Sequence, residues 1–202
     1  MNENINLHDN ELFQKGQSAI KKRNFAYAIE IFQNLLLSYP NSLQCQHYLW
    51  QAIRENKKIN PPSLLNLIFK KTSYLFLVTK SEISSLSNNF NQAKTYLEQI
   101  ILINPDDTRI LYKLATIFIK QQQIDKAIFI LEELLIVNRY HPAALKSLMQ
   151  LYFETENFPK AKLMAKLVLE LNPHQLDAEN ILKDISALGT IEKGFDDIKP
   201  AT

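Results

Sequence analysis

The sequence is poor in the residues that build disulfides and tight turns. Its one cysteine, Cys45, excludes a disulfide within the chain. Three glycines and eight prolines among 202 residues are too few turn formers for a β-rich fold. A formal net charge of +2 excludes a strong overall attraction to nucleic acid or anionic membranes. Because 46% of the residues are apolar, the chain can bury a core, which excludes intrinsic disorder.

Targeting segments are also missing from the sequence. Residues 1–6 contain neither the basic region nor the apolar region of a secretory signal peptide. The most apolar stretch, Leu64 to Val78, contains Lys70 and Lys71, and it is too short and too charged to span a bilayer. We therefore expect a cytoplasmic protein without membrane insertion.

Residue clusters typical of catalysis or metal binding are absent. The four histidines, at positions 8, 47, 141 and 174, do not have zinc-ligand spacing, and the isolated glycines form no phosphate-binding loop. No nucleophile lies in a pattern with a base and an orienting group. We interpret Glu132 and Glu133 as part of a solvated helix face. These absences predict no enzymatic activity, no cofactor and no metal site.

Two short basic runs, Lys21-Lys22-Arg23 and Lys57-Lys58, lie on the turn side of helical patterns. Binding of single-stranded nucleic acid through them would need aromatic side chains that stack on bases within a basic groove. The sequence does not provide that combination here. We interpret both runs as solvated charges and predict no nucleic-acid partner.

The sequence does have a regular spacing of alanines. Ala93, Ala127 and Ala161 are 34 residues apart, and Ala28 lies 65 residues before Ala93, which leaves room for one shorter unit between them. Three of these alanines are followed, twelve residues later, by a proline: Pro40, Pro105 and Pro173. Apolar residues around each alanine recur every three or four positions, as on one face of a helix. A fixed period near 34 residues predicts stacked helical hairpins.

The spacing also predicts how the chain is divided. We expect an N-terminal extension at 1–8, a helical solenoid at 9–188 and a flexible tail at 189–202. The predicted units of the solenoid cover 9–42, 43–73, 74–107, 108–141 and 142–175, and a capping helix covers 176–188. The second unit is irregular, because its linker around Pro61 is long and stiff and its second helix, Ser63 to Lys71, is short.

The repeated residues resemble the tetratricopeptide repeat family, whose units have small residues where two helices cross, a large apolar residue and a closing proline. The matching residues are Gly16, Ala28, Phe32 and Pro40; Ser81, Ala93, Leu97 and Pro105; Ala115, Ala127 and Leu131; and Tyr152, Ala161 and Pro173. The second unit departs from the pattern, since Trp50 occupies a small-residue position. The resemblance implies an all-α fold, a right-handed α-solenoid of about five helix-turn-helix hairpins with a C-terminal capping helix.

The family geometry implies a concave groove lined by the first helix of each hairpin. The residues it places there mix aromatic rings, amides and single cations, which are the usual anchors of interfaces. They are Phe13, Gln17, His47, Gln51, Arg54, Val78, Glu82, Arg109, Tyr112, Thr116, Lys146, Gln150 and Phe153. The alternative is that these residues form solvated helix faces. Phe13 and Gln17 occupy the positions where some family members carry a clamp for chaperone tails, so such tails are not expected as ligands.

A second candidate surface lies on the convex side. Phe129 and Leu163 occupy a position that is commonly charged in this family, and an exposed apolar pair can mark an interface. The alternative is that both lean against neighbouring helices. The sequence does not indicate self-association, and a homo-oligomer stays open.

The resemblance and the absence of catalytic patterns together predict a non-enzymatic scaffold or adaptor. We expect it to bind a peptide or partner protein in the concave groove. Two alternatives stay open at this point. One is a dedicated chaperone of the secretion type, and the other is a regulatory module of a larger enzyme or sensor.

Overall fold

The fold consists of helices alone in the part of the chain that the structure describes. The structure is a computed structural model, and it describes residues 7–61 and 64–196. Within these residues the helices are α1 Leu7–Lys21, α2 Phe25–Ser38, α3 Leu43–Ile59, α4 Leu64–Leu86, α5 Phe90–Ile103, α6 Thr108–Lys120, α7 Ile124–Val137, α8 Pro142–Glu154, α9 Phe158–Leu171 and α10 Leu176–Asp196. The predicted all-α fold of helical hairpins is confirmed.

The turns inside four hairpins share one backbone geometry. Each turn contains a residue with φ between 56° and 60°, in the left-handed region: Arg23, Asn88, Gln122 and Glu156. In the first turn, the N–H of Arg23 donates to the carbonyl of Ile20 and the N–H of Asn24 donates to that of Ala19. The same two bonds recur in the other three turns. This pair of bonds is a Schellman motif, so each turn satisfies the last carbonyls of the first helix.

The second helix of each hairpin begins directly after that turn. The side chains of Asn24, Asn89 and Asn157 accept a hydrogen bond from the backbone N–H three residues ahead. Such bonds satisfy amide groups that a helix start otherwise leaves without a partner. The equivalent residue between α6 and α7, Gln123, has nearly the same backbone angles but makes no side-chain capping bond.

Small residues lie where helices approach closely. The four alanines of the 34-residue pattern, Ala28, Ala93, Ala127 and Ala161, are all completely buried. In α1, Gly16 has the same role toward α2, because a Cβ atom at this position would lie 2.7 Å from the Cζ atom of Phe32. Small side chains at these points allow the helices to pack without overlap.

The chain divides into two compact units between Ile117 and Phe118, within α6. In the first unit, α1 packs on α2, α2 on α3, and α4 on α5. The rings of Phe13, Phe32 and Tyr48 join the first three of these helices, with centroid distances of 5.4 to 5.6 Å. The Phe13 ring meets the other two edge to face, a favourable arrangement for aromatic pairs.

In the second unit, α7 packs on α8, α8 on α9, and α9 on α10. Side chains from the last three helices form one buried cluster, made of Leu145, Met149, Ala165, Val168, Ala178 and Ile181. Within this unit, α10 covers apolar side chains of α8 and α9 and has its own polar residues, such as Lys183 and Asp184, exposed to solvent.

Two helix boundaries differ from the sequence predictions. The expected short helix from Ser63 to Lys71 is wrong, because α4 runs without a break from Leu64 to Leu86 and crosses the predicted unit limit at 73. The last helix continues to Asp196 rather than ending at Leu188, so it occupies much of the predicted tail. Residues 1–6 of the predicted N-terminal extension and 197–202 of the tail lie outside the described residues. The predicted unit limits otherwise stay predictions.

Candidate functional site

In the first unit, the predicted partner-binding residues differ in how much of their side chains solvent reaches. Arg109 is exposed and Phe13 and Arg54 are buried, while the others are partly buried: Gln17, His47, Gln51, Val78, Glu82, Tyr112 and Thr116. A partner can contact only those side chains that solvent reaches. The two buried residues therefore need a different interpretation.

Phe13 belongs to the aromatic core. It is only 9% exposed, and its ring contacts those of Phe32 and Tyr48. His47 lies at the edge of the same cluster, with its ring 5.2 Å from that of Tyr48. The structure thus assigns packing to Phe13, which leaves His47 and Gln17 as the accessible polar residues nearby.

Arg54 connects α3 to the loop before α6. Its Nε atom lies 3.2 Å from Oδ1 of Asp106, and its Nη2 atom donates to the carbonyl of Pro105 at 3.4 Å. Because only 9% of Arg54 is exposed, the carboxylate and the carbonyl compensate for the loss of water around its charge. The structure gives this residue a positioning role in the loop.

Arg109 is part of a network at the start of α6. The carboxylate of Asp107 accepts bonds from the backbone N–H of Arg109 at 3.1 Å, from its guanidinium at 3.1 and 3.3 Å, and from the hydroxyl of Tyr74 at 2.5 Å. Burial alone raises the pKa of Asp107, but the bonds from Arg109 and Tyr74 outweigh it and hold this pKa below its ordinary value. Burial and then the Asp107 carboxylate raise the pKa of Tyr74 to about 12.

The network holds the Arg109 guanidinium against the Asp107 carboxylate while most of the Arg109 side chain stays in water. The Arg109 side chain is 79% exposed, whereas that of Asp107 is only 8% exposed. One and two turns farther along α6, Tyr112 and Thr116 are partly buried, and the Thr116 hydroxyl donates to the carbonyl of Tyr112 at 2.9 Å. Spacings of three and four residues place these side chains on one face of α6.

Glu82 of α4 forms an ion pair with Lys113 of α6. Both side chains are 46% exposed, so the pair lies at the surface and contributes little stability. Lys113 therefore already neutralises the charge of Glu82, which the sequence predicted as an acidic contact for a partner.

In the second unit, the predicted residues of α8 are accessible. Lys146 and Gln150 are exposed, and the Gln150 amide donates to Glu154 at 2.9 Å. Phe153 is partly buried, with its ring 5.9 Å from that of Phe158. Spacings of four and three residues place all three on one helix face, which combines a cation, an amide and an aromatic ring.

The acidic pair of α7 is not the solvated face that the sequence predicted. Glu133 is only 2% exposed, and Glu132 accepts bonds from the hydroxyl of Tyr152 and from Nζ of Lys160, the latter at 2.9 Å. Burial and then Glu132 raise the pKa of Tyr152 well above its usual range. This polar network joins α7, α8 and α9, and its signal in the sequence is weak because its three members lie 20 and 8 residues apart.

The predicted convex pair is unequal in exposure. Leu163 is 54% exposed, whereas Phe129 is partly buried. Self-association through these residues stays a prediction.

Metal binding and nucleophilic chemistry depend on which side chains the described residues bring together. Across 7–61 and 64–196, no group of three or more His, Cys, Asp or Glu side chains could hold a metal ion. Burial outweighs a hydrogen bond from Ser42 and raises the pKa of the Cys45 thiol, which disfavours the reactive thiolate. None of the helices in this part of the chain is long and apolar enough to cross a membrane.

Comparison with known proteins agrees with the repeat geometry. Tetratricopeptide repeat profiles match residues 86–149 and residues 12–42. These two parts of the chain are tetratricopeptide repeats. The first match covers the turns at Asn88 and Gln122, and the second covers the turn at Arg23. Tetratricopeptide repeats are protein-interaction modules, so the chain has the class of surface that binds other proteins.

Solved structures with tetratricopeptide repeats have a similar fold. The tetratricopeptide repeat domain of P58(IPK) has a TM-score of 0.61 and 12% identity, over 95% of this chain and 68% of that one. The first repeat domain of Spaghetti (RPAP3), bound to an HSP90 peptide, has a TM-score of 0.52 and 19% identity, over 59% of this chain and 94% of that one. At such identities these likenesses show the fold alone. No curated protein is significantly similar to this chain in sequence.

Proposed function

We propose that this tetratricopeptide repeat chain is a non-enzymatic scaffold or adaptor of the cytoplasm that binds a peptide or partner protein on the first helices of its hairpins. The observation that carries the proposal is the face of α6, where the exposed guanidinium of Arg109 is followed by Tyr112 and Thr116. A second such face is presented by Lys146, Gln150 and Phe153 of α8 in the other unit. Each face offers charge, hydrogen bonding and an aromatic ring.

The chemistry of these faces suits an extended peptide better than a small ligand. Arginine and tyrosine are enriched among the residues that contribute most to protein interfaces. The Asp107 carboxylate holds the Arg109 side chain in place, which lowers the entropy lost when it binds a partner. Gln150 supplies a neutral amide that can bond a peptide backbone in either sense.

The similar structure of Spaghetti (RPAP3) holds an HSP90 peptide, but we do not propose that ligand here. Phe13 occupies a clamp position implied by the family resemblance, and its ring is committed to the core. The sequence-based expectation that chaperone tails are not ligands therefore stays part of the proposal.

The proposal is tested by isolating partners and then measuring affinity. The wild-type protein is used to capture partners from a lysate of cells whose genome encodes this chain. Mass spectrometry then identifies the captured partners. Affinity of each purified partner is then measured by calorimetry for the wild type, for Arg109→Ala/Tyr112→Ala, and for Gln33→Ala/Asn34→Ala. The last variant is a matched control, because both residues are exposed on α2, a second helix.

We expect Arg109→Ala/Tyr112→Ala to weaken binding at least about tenfold, since interface anchors contribute more than about 1 kcal/mol each. The control variant should bind as the wild type does. If the α6 variant retains full affinity for every partner, or if both variants lose it equally, the assignment of the α6 face is wrong.

The convex pair is a separate proposal, that the exposed Leu163 and its predicted neighbour Phe129 support self-association. Analytical ultracentrifugation of the wild type, Leu163→Glu and the control Lys162→Glu tests it, since Lys162 is also exposed on α9. Loss of a dimer in Leu163→Glu alone supports the proposal, and a monomeric wild type contradicts it.

A further inference from the structure

A cleft of about 390 Å³ opens in the first unit where α3 ends. Its walls come from the last turns of α3, from the middle of α4 and from the end of α5. The unbroken course of α4 gives the cleft one wall, with Lys70, Lys71 and Tyr74 on it. Neither Arg109 nor Tyr112 of the α6 face lines this space, and Tyr74 connects the two through its bond to Asp107.

Among the described residues, three lysines and no acidic residue line the cleft. Lys57 is held in place, with its Nζ atom 2.9 Å from Oδ1 of Asn104 and 3.8 Å from Oδ2 of Asp106. Lys70 and Lys71 have no acidic partner among the described residues. A cleft lined by charges of one sign concentrates ions of the opposite sign. The cleft is thus suited to a negatively charged group.

Acidic residues near the cleft are already engaged by other cations. Asp106 is paired with Arg54 at 3.2 Å, and Asp107 is held by Arg109 and Tyr74. On α3, Glu55 is paired with Lys58 at 2.6 Å. The charges of Lys70 and Lys71 therefore remain available for an external carboxylate.

Amide groups extend the polar rim. Asn56, Asn60 and Asn104 line the cleft, and the Asn60 amide donates to Oδ1 of Asn56 at 3.0 Å. Because Oδ1 of Asn104 accepts the bond from Lys57, its amide nitrogen is left as a donor. Donors that surround a carboxylate add charge-assisted hydrogen bonds to the attraction of the lysines.

An apolar surface lies beside these polar groups. Ile53, Leu102 and Ile103 also line the cleft, and Leu102 is 44% exposed. A free inorganic anion would leave these side chains in contact with water. Single-stranded nucleic acid would need several aromatic rings for stacking, and Tyr74 is the one aromatic residue that the described part of the lining contains. A polypeptide that alternates acidic and apolar side chains satisfies both parts of the cleft.

We propose that this cleft binds an acidic segment of a partner polypeptide, with its carboxylates on Lys57, Lys70 and Lys71 and an apolar side chain on Leu102 and Ile103. The inference rests on the proposed interaction function and adds a second contact to it. The two contacts lie on different helices, so one variant at each can be tested independently of the other.

The test measures binding of fluorescein-labelled peptides by anisotropy. The probe peptide repeats Glu-Glu-Leu, one control repeats Gln-Gln-Leu, and another repeats Glu-Glu-Gly. Inorganic phosphate and a single-stranded oligo(dT) serve as competitors. The proteins are the wild type, Lys70→Ala/Lys71→Ala, Leu102→Asn and the charge-matched control Lys21→Ala/Lys22→Ala, whose two lysines are exposed at the end of α1 and outside the cleft.

We expect the Glu-Glu-Leu peptide to bind best and Lys70→Ala/Lys71→Ala to weaken it about tenfold, as loss of one or two charge-assisted contacts implies. Leu102→Asn should weaken it about threefold through loss of apolar contact. The control variant Lys21→Ala/Lys22→Ala should leave this affinity unchanged.

Several results would overturn the inference. Equal binding of the Gln-Gln-Leu peptide would remove the charge requirement, and equal binding of the Glu-Glu-Gly peptide would remove the apolar one. Equal weakening by Lys21→Ala/Lys22→Ala would show a nonspecific charge effect, and displacement by phosphate or oligo(dT) at the same concentration as peptide would assign another anion. Loss of partner binding in Tyr112→Ala but not in Lys70→Ala/Lys71→Ala would retain the proposed function and reject the cleft.

Discussion

The glycine at position 16 provides a direct measure of how closely α1 and α2 approach. A Cβ atom added there would lie 2.7 Å from Cζ and 3.0 Å from Cε2 of Phe32, and 3.0 Å from Cγ2 of Ile31. The Phe32 ring is completely buried, with the rings of Phe13 and Tyr48 5.6 and 5.5 Å away, so it has little room to move. We therefore predict that Gly16→Ala forces α1 and α2 apart.

Two opposing terms set the size of the effect. Overpacking of a buried contact costs about 1–3 kcal/mol, whereas replacing a glycine inside a helix by alanine gains about 0.5–1 kcal/mol. The expected net loss of unfolding free energy is about 0–2.5 kcal/mol. In a Phe32→Leu background, which removes Cζ and Cε2, the same substitution should become neutral or stabilising.

Urea denaturation followed by tryptophan fluorescence measures this effect in the first unit. Trp50 is the one tryptophan of the chain and is only 5% exposed, so its emission reports on that unit. Gln33→Gly and Gln33→Ala, at an exposed position of α2, give the difference in helix propensity without a packing change. If Gly16→Ala raises the unfolding free energy by as much as the Gln33→Gly and Gln33→Ala variants differ, the close approach of α1 and α2 does not exist.

Four further predictions concern the turns and the network at α6. Glu156→Gly and Gln122→Gly should each raise the unfolding free energy of the second unit by about 0.5–1 kcal/mol, because only glycine adopts a positive φ without strain. Circular dichroism melts measure this change, and a lower unfolding free energy would contradict the turn geometry. Gln123→Asn should raise the unfolding free energy by about 1 kcal/mol, because asparagine supplies the missing capping bond. The substitution also removes a buried Oε1 atom that has no hydrogen-bond partner. An unchanged melt would count against the cap. The pKa of Asp107 is lower in the folded protein than its unfolded value near 3.8. The ionised carboxylate therefore stabilises the fold above pH 3.8, and this stabilisation is lost as the pH falls through the folded pKa. Asp107→Asn should thus make the unfolding free energy, measured by Trp50 fluorescence, depend less on pH on the acid side. The pKa of Tyr74 is raised to about 12 in the folded protein, so its neutral hydroxyl stabilises the fold below pH 10, and this stabilisation is lost as the pH rises through 12. Tyr74→Phe should make the unfolding free energy depend less on pH on the alkaline side. Unchanged pH profiles in these two variants would contradict the network.

The alanine spacing predicted the helical hairpins because close packing of two helices is a local requirement that recurs in every unit. Ala93, Ala127 and Ala161 are completely buried, as this requirement demands. The turns have the same period but no common residue, since Arg23, Asn88, Gln122 and Glu156 share a left-handed backbone without a shared side-chain chemistry. Composition alone therefore could not identify them.

The course of α4 could not be predicted from local polarity. Thr72 and Ser73 lie between the predicted helix that ends at Lys71 and the unit that begins at 74, yet the structure places both on the exposed surface of one helix. Polar residues that face water are compatible with an unbroken helix, so only the contacts of α4 with the rest of the unit decide its length. The cleft beside Lys57 depends on that course and was missed for the same reason.

Candidate site residues were predicted from helix periodicity, which identifies a face but not the bonds within it. Tyr112 and Lys146 lie on accessible faces, whereas Arg54 forms an ion pair with a carboxylate 52 residues farther along the chain. Such long-range ion pairs have no period in the sequence. Structure was needed to separate the side chains that position loops from those that a partner can reach.

Hydrogen exchange of the chain with and without a captured partner, read by mass spectrometry, tests the central claim most directly. The proposed function predicts slower exchange on binding along α6 around Tyr112 and along α8 around Gln150, with no change in α2. Protection confined to α2 and α9, or none in α6 and α8 at saturating partner, would contradict it.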